Sequence, residues 1–299
     1  MSNIVIPYRG YLTQLNNVQP DVPQSDLVVD FNPSKGIYDT ATWNGSVYVG
    51  SGPITTDNTA CALVTNQAGY ENPVTNTIPT FRQTSPGRRP IWRSGDTEAN
   101  GKPYLDFQSS GDFFYFGIHT SSLNELEELS IYVVTLPSSS APSSTNYIYS
   151  NQEDWYGYQG GWASWYSTNG GTVYSVAGGD SDIDPNKISN YDPDTNDVQI
   201  ISHLVKGDNT PYEHSSRVQN EGSSVDARDS ETGDGFVSWP PSGTSIFLLG
   251  ASYGRENSQP TTPQRYYTGR MYRFLIYDKA HSNAEQLQVF SDLSTVYGI

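Results

Sequence analysis

The segment from Tyr267 to Ile299 constrains the fold more than any other stretch of the chain. Met271, Arg273, Leu275 and Tyr277 alternate with Tyr272, Phe274 and Ile276, a period-two run of aromatic and branched residues that predicts a strand with one set on each face. Asp278, Lys279 and Ala280 end it. Ser282 with Glu285 three residues on is a capping-box signature. The helix it opens carries Leu287, Phe290, Leu293 and Tyr297 at three- and four-residue steps, and Gly298 is its stop. A short amphipathic helix following such a strand needs a sheet to lie against.

The rest of the chain supplies strands for that sheet. At 299 residues it is long enough for one large all-β domain. Its 22 Tyr and 6 Trp among many Gly, Ser, Thr, Asn and Pro predict short strands joined by turns. The lone Cys61 excludes an intrachain disulfide and a cysteine-built metal site. Against 16 Lys and Arg stand 32 Asp and Glu, a net charge of −16 that opposes binding to nucleic acid or to an anionic membrane. No charged segment followed by an apolar run opens the chain and no stretch is long and apolar enough for insertion into a membrane, so the expectation is a protein made in a cytoplasm.

Residues 1–25, with Pro7, Pro20 and Pro23, read as an N-terminal arm or edge strand, either a loose terminus or a docking arm for a partner subunit. Residues 26–299 read as the main domain. Asp26–Phe31, Leu129–Leu136, Val198–Val205 and Ile246–Ala251 read as strands, and Tyr147–Asn151 as the hairpin partner of Leu129–Leu136, because consecutive strands usually neighbour each other. Thr42–Gly45 reads as a turn after an aromatic anchor, Trp43. Asn100-Gly101 predicts a turn before a strand, since both residues tolerate positive φ. Arg82–Glu98, with Arg88, Arg89 and Trp92, reads as a solvated loop, with a partner-contact surface as the alternative.

These motifs together resemble the laminin G-like jelly rolls of bacterial and phage type in the concanavalin A-like lectin/glucanase superfamily. The likeness is carried by the aliphatic strand ending in Tyr277-Asp278, the Ser282/Glu285 cap and the terminal Tyr297-Gly298-Ile299. It is carried further by Asn100-Gly101-Lys102-Pro103 through Phe107, and by Ile246–Ala251. His281 stands where that pattern has leucine and Val296 where it has lysine, and the pattern is weakest between Asn209 and Trp239. The resemblance implies an all-β fold, an antiparallel jelly-roll β-sandwich of concanavalin A-like type with a short C-terminal α-helix.

Trp155, Tyr156, Tyr158, Trp162, Trp165 and Tyr166 form the densest aromatic cluster, and three readings of it stay open. Such rings pack a core, stack on the C–H face of a sugar, or anchor a protein interface. The acidic loops at 178–184 and 192–197 have carboxylates at alternate positions suited to Ca²⁺, but lack the glycine and closing glutamate of an EF-hand, so no cofactor or metal is assigned. Glucanases of the superfamily carry paired carboxylates on one strand; here the nearest stretch, Glu125–Leu129, lacks the aspartate and ends in leucine. Neither Gly-x-Ser-x-Gly nor a metalloprotease motif occurs. The expectation is a non-enzymatic virion surface protein, such as a phage head decoration, knob or tail-associated adhesin, contacting other virion or self subunits and cell-surface glycans. The alternative is a carbohydrate-binding module of a bacterial surface or secreted polysaccharide-degrading system.

Overall fold

The computed structural model describes residues 22–44, 48–68, 80–108, 111–116, 128–138, 146–150, 162–166, 173–177, 186–188, 197–206, 212–220, 227–233, 247–256 and 259–299. The first half contributes β1 (Leu27–Phe31), β2 (Ile37–Tyr38), β3 (Thr42–Trp43), β4 (Tyr48–Val49), β5 (Thr59–Ala60), β6 (Leu63–Thr65), β7 (Thr80–Arg82), β8 (Ile91–Asp96), β9 (Lys102–Phe107), β10 (Phe114–Phe116) and β11 (Glu128–Pro137). The second adds β12 (Asn146–Ser150), β13 (Trp162–Tyr166), β14 (Val173–Ala177), β15 (Asn186–Ile188), β16 (Gln199–Lys206), β17 (Tyr212–Asn220), β18 (Ala227–Gly233), β19 (Phe247–Leu249), β20 (Ser252–Glu256), β21 (Gln259–Gln264), β22 (Gly269–Tyr277) and the helix α1 (Asn283–Tyr297).

Among the described residues, two nine-stranded antiparallel sheets make the body, the jelly-roll sandwich with a C-terminal helix that the sequence implies. The first sheet runs β18-β17-β16-β11-β22-β9-β8-β5, and the second runs β15-β14-β13-β12-β19-β10-β7-β6-β2. β22 is the hinge of the first: β11 pairs along its whole length, while β9 and β1 divide its other edge, β9 at Gly269–Met271 and β1 at Phe274–Tyr277. Between the sheets lies an aromatic core that includes Phe31, Phe81, Phe107, Phe114, Phe116, Phe247 and Phe274.

The strict alternation expected along β22 breaks at its centre. The register against β11 slips between Val134 and Thr135, so Met271 and Phe274 both face the inter-sheet core while Tyr272 and Leu275 face the helix. An extra residue in one strand does this, because two side chains then oppose one.

Helix α1 covers the outer face of the first sheet, packing on Tyr132, Val134, Tyr272 and Tyr277. Ser282 and Glu285 close the expected capping box, and Gly298 ends the helix with φ +77°. Burying Phe290 and Leu293 contributes roughly 1.5–3 kcal/mol each. The buried stripe runs Gln286, Val289, Phe290, Leu293 and Tyr297, so Leu287 falls at its edge and is 49% exposed, contrary to expectation. Val22 joins the same cluster, and the Tyr277 hydroxyl donates to the Pro23 carbonyl at 3.1 Å, so the packed body includes residues read as part of the arm.

Three further readings are corrected. β12 does not pair with β11; it lies in the other sheet between β13 and β19, so the chain crosses the sandwich after Pro137. Arg82–Glu98 is not a solvated loop: it contains β8, and Trp92 is buried with its indole N–H donating to the Pro33 carbonyl at 2.9 Å. Trp43 anchors nothing in the core and is 55% exposed. Asn100 and Gly101 adopt the expected positive φ, +53° and +70°.

Candidate functional site

Strand alternation places a polar cleft on the same face of the first sheet as α1. On β9, Leu105 and Phe107 point into the core, which turns Tyr104 and Asp106 to the outer face of the first sheet. On β8, Trp92 points in opposite Leu105, so Arg93, paired with Tyr104, points out. On β22, Met271 points in and Arg270, paired with Asp106, points out. These side chains, with Asp57, Glu98, Gln108 and Asp197, line an open cleft of about 860 Å³. Gly269 forms part of its wall at φ +147°, where a Cβ would lie 2.5 Å from the Leu136 carbonyl oxygen.

Both arginines of the cleft meet a carboxylate, and the carboxylates outnumber them. Arg93 lies between two carboxylates, 3.6 Å from Asp57 and 3.7 Å from Asp106. Gln108 donates to Asp106 at 2.6 Å. Arg270 donates to Asp96 at 2.6 Å, and Tyr272 donates its hydroxyl to the same carboxylate. Asp96, nearly buried, also accepts the Glu98 amide at 3.1 Å, so one carboxylate ties the turn after β8 to β22. Burial works against the charge on Arg270, but Asp96 outweighs it and raises the guanidinium above its ordinary value. The Ser94 backbone amide, 2.7 Å from Asp57, holds that carboxyl below the usual carboxylate range. Burial raises the Tyr104 phenol.

The aromatic cluster singled out in the sequence stands elsewhere. Trp155, Tyr156 and Tyr158 lie outside the described residues. Trp162 and Trp165 belong to β13, with Trp165 paired to Tyr147 and Tyr174. Tyr166 is a core residue: its hydroxyl donates to Gln199 at 2.8 Å and its ring stacks 6.4 Å from Tyr267, so it offers no face to a ligand. Of the acidic loops, only Asp197 is described, at the cleft rim. Among the described residues no group of three or more His, Cys, Asp or Glu side chains could hold a metal ion, and no helix is long and apolar enough to cross a membrane.

No protein-family model and no curated protein sequence matches the chain. Solved structures similar to it include the CBM40 module of Ruminococcus gnavus IT-sialidase bound to α2,3 sialyllactose, at 14% identity and a TM-score of 0.41, covering 60% of this chain and 86% of that one. Trypanosoma rangeli sialidase in complex with sialic acid matches at 12% identity and a TM-score of 0.47, over 92% of this chain and 34% of that enzyme. A leech intramolecular trans-sialidase matches at 11% identity and a TM-score of 0.39, over 62% and 26%. The chain thus spans about a third of the trypanosomal sialidase and about a quarter of the leech enzyme. What the chain itself displays is an antiparallel β-sandwich with a polar cleft on its outer face.

Proposed function

We propose that the protein is a non-catalytic glycan-binding module and that the cleft between Arg93 and Arg270 receives a neutral oligosaccharide. The observation that carries this reading is the array of Asp57, Arg93, Asp106 and Gln108, in which two carboxylates share one guanidinium, over a cleft of small-ligand size. Fixed carboxylate, guanidinium and amide groups present both donors and acceptors, the complement of a ring of hydroxyls. With each arginine matched to a carboxylate, the cleft holds no spare positive charge for an acidic sugar.

The same geometry speaks against hydrolysis. A glycosidase needs one carboxyl kept protonated by a raised pKa. Asp57 is shifted the opposite way, held down by the Ser94 amide and, after it, by Arg93. A virion-surface adhesin of laminin G-like type, the setting suggested by the sequence, would use such a cleft to meet host glycans.

The test is calorimetric titration with neutral oligosaccharides found on a glycan array. Binding should be lost in Arg93→Ala with the circular dichroism unchanged. Binding unaffected by Arg93→Ala and Gln108→Ala would remove the cleft from the account.

A further inference from the structure

We propose that the outer face of the second sheet is a separate binding surface for a linear carboxylated polysaccharide, a polyuronate. On β7 and β10, Phe81, Phe114 and Phe116 point into the core, which turns the paired residues Arg82 and Tyr115 outward. The Arg82 guanidinium lies 4.3 Å from the ring centre of Tyr48. Arg88, exposed, lies 5.8 Å from the ring centre of Phe113 and donates to the Tyr266 hydroxyl at 3.4 Å. Phe113 in turn touches both Tyr115 and Tyr266, with ring centres at 4.9 and 6.0 Å. The result is a strip that sets two guanidinium groups beside the partly exposed rings of Tyr48, Tyr115 and Tyr266, with Phe113 buried beneath them.

Charge selects the occupant. Among the described residues neither Arg82 nor Arg88 meets a carboxylate, in contrast to Arg93 and Arg270 across the sandwich. Two guanidiniums held beside aromatic rings, with no carboxylate partner among the described residues, are pre-organised for an anion, and their planar fork fits a carboxylate in two-pronged fashion. Arg82 and Tyr115 sit on neighbouring strands roughly 5 Å apart, and Tyr48, Arg88 and Tyr266 extend the strip beyond them, so it suits a chain of repeating charged units better than one terminal sugar. Guanidinium groups occupy faces of Tyr48 and Phe113 that bases would need for stacking, which disfavours a nucleic acid, whereas the net charge of −16 opposes every polyanion alike. The local contact survives that net charge because separations beyond roughly 8 Å are screened at physiological salt.

The full-length protein is titrated with polygalacturonate, dextran sulfate, unmodified dextran and oligothymidylate. Polygalacturonate should bind, more weakly as sodium chloride rises. Arg82→Gln and Arg88→Gln should each weaken it by roughly tenfold, while Arg93→Ala in the cleft leaves it unchanged. Arg88 is exposed, so its variant decides the matter even if Arg82→Gln folds poorly. The inference is overturned if polygalacturonate does not bind, if dextran sulfate or oligothymidylate binds as well or better, or if Arg93→Ala is the variant that loses it. Neutral-oligosaccharide binding lost in Arg93→Ala scores the cleft separately, so either surface can fail alone.

Discussion

Arg273 and Asp30 form an ion pair inside the first sheet, with Nε 2.7 Å from Oδ1, Nη2 3.0 Å from Oδ2 and the arginine side chain 2% exposed. The pair joins β22 to β1, with Arg273 next to the slip against β11 where alternation breaks, and Asn66 holds the Asp30 backbone by accepting its amide at 2.8 Å. Removing one partner strands a buried charge, which costs about 3–5 kcal/mol, whereas replacing both with apolar groups is often neutral. Asp30→Ala should therefore lower stability by about that much in urea unfolding, and Asp30→Leu combined with Arg273→Met should recover most of the loss. A double variant no more stable than the single one would contradict the buried-pair account.

His281 sits where the resembling family has leucine, buried beneath α1 with Nδ1 2.8 Å from the Tyr132 hydroxyl. Burial lowers its pKa; Glu285 and Asp26 oppose that and Lys279 adds to it. The folded state binds fewer protons than the unfolded one, so this contribution is complete above the unfolded value near 6.5 and is lost as pH falls below it. Thermal scans should show stability falling between about pH 7 and pH 5. His281→Leu should flatten that part of the profile; an unchanged slope would place the titration elsewhere.

At the start of α1 the direction is the same but the cause differs, since here the charged form is favoured instead of penalised. Lys279, and then the Ser282 amide, hold the Glu285 carboxyl down to about 2. Its stabilising effect is present above the unfolded value of 4.5 and fades as pH falls toward 2. Ser282→Ala should cost about 1 kcal/mol at neutral pH. Glu285→Gln should reduce the acid sensitivity of the melting temperature in that window, and a variant with the full sensitivity of the native chain would exclude the cap as its source.

Local signals carried the fold and missed the site. The capping box, the Asn100-Gly101 turn and the buried run of β11 are written in neighbouring residues, so they can be read without tertiary knowledge. The pairing of β11 with β16 and β22, across 60 to 150 residues, is not local, and neighbour preference suggested β12 instead. The cleft depends on such register: Arg93 reaches Asp106 only because β8 pairs with β9, and β8 lay in a segment whose Gly, Ser and Arg content resembles a loop. Tyr104 and Asp106, alternating with Leu105 and Phe107, were the legible hint of an outward polar face. Tyr166 shows the converse, an aromatic residue conspicuous in sequence whose hydroxyl and ring are both used internally.

The most direct test pairs binding with turnover on one oligosaccharide series. Titration of native protein, Arg93→Ala and Asp106→Asn, alongside a reducing-sugar assay, should show binding by the native chain, its loss in both variants and no sugar released by any of them. Release of reducing ends that disappears on substituting Asp57 or Asp106 would contradict the account and make the cleft an active site.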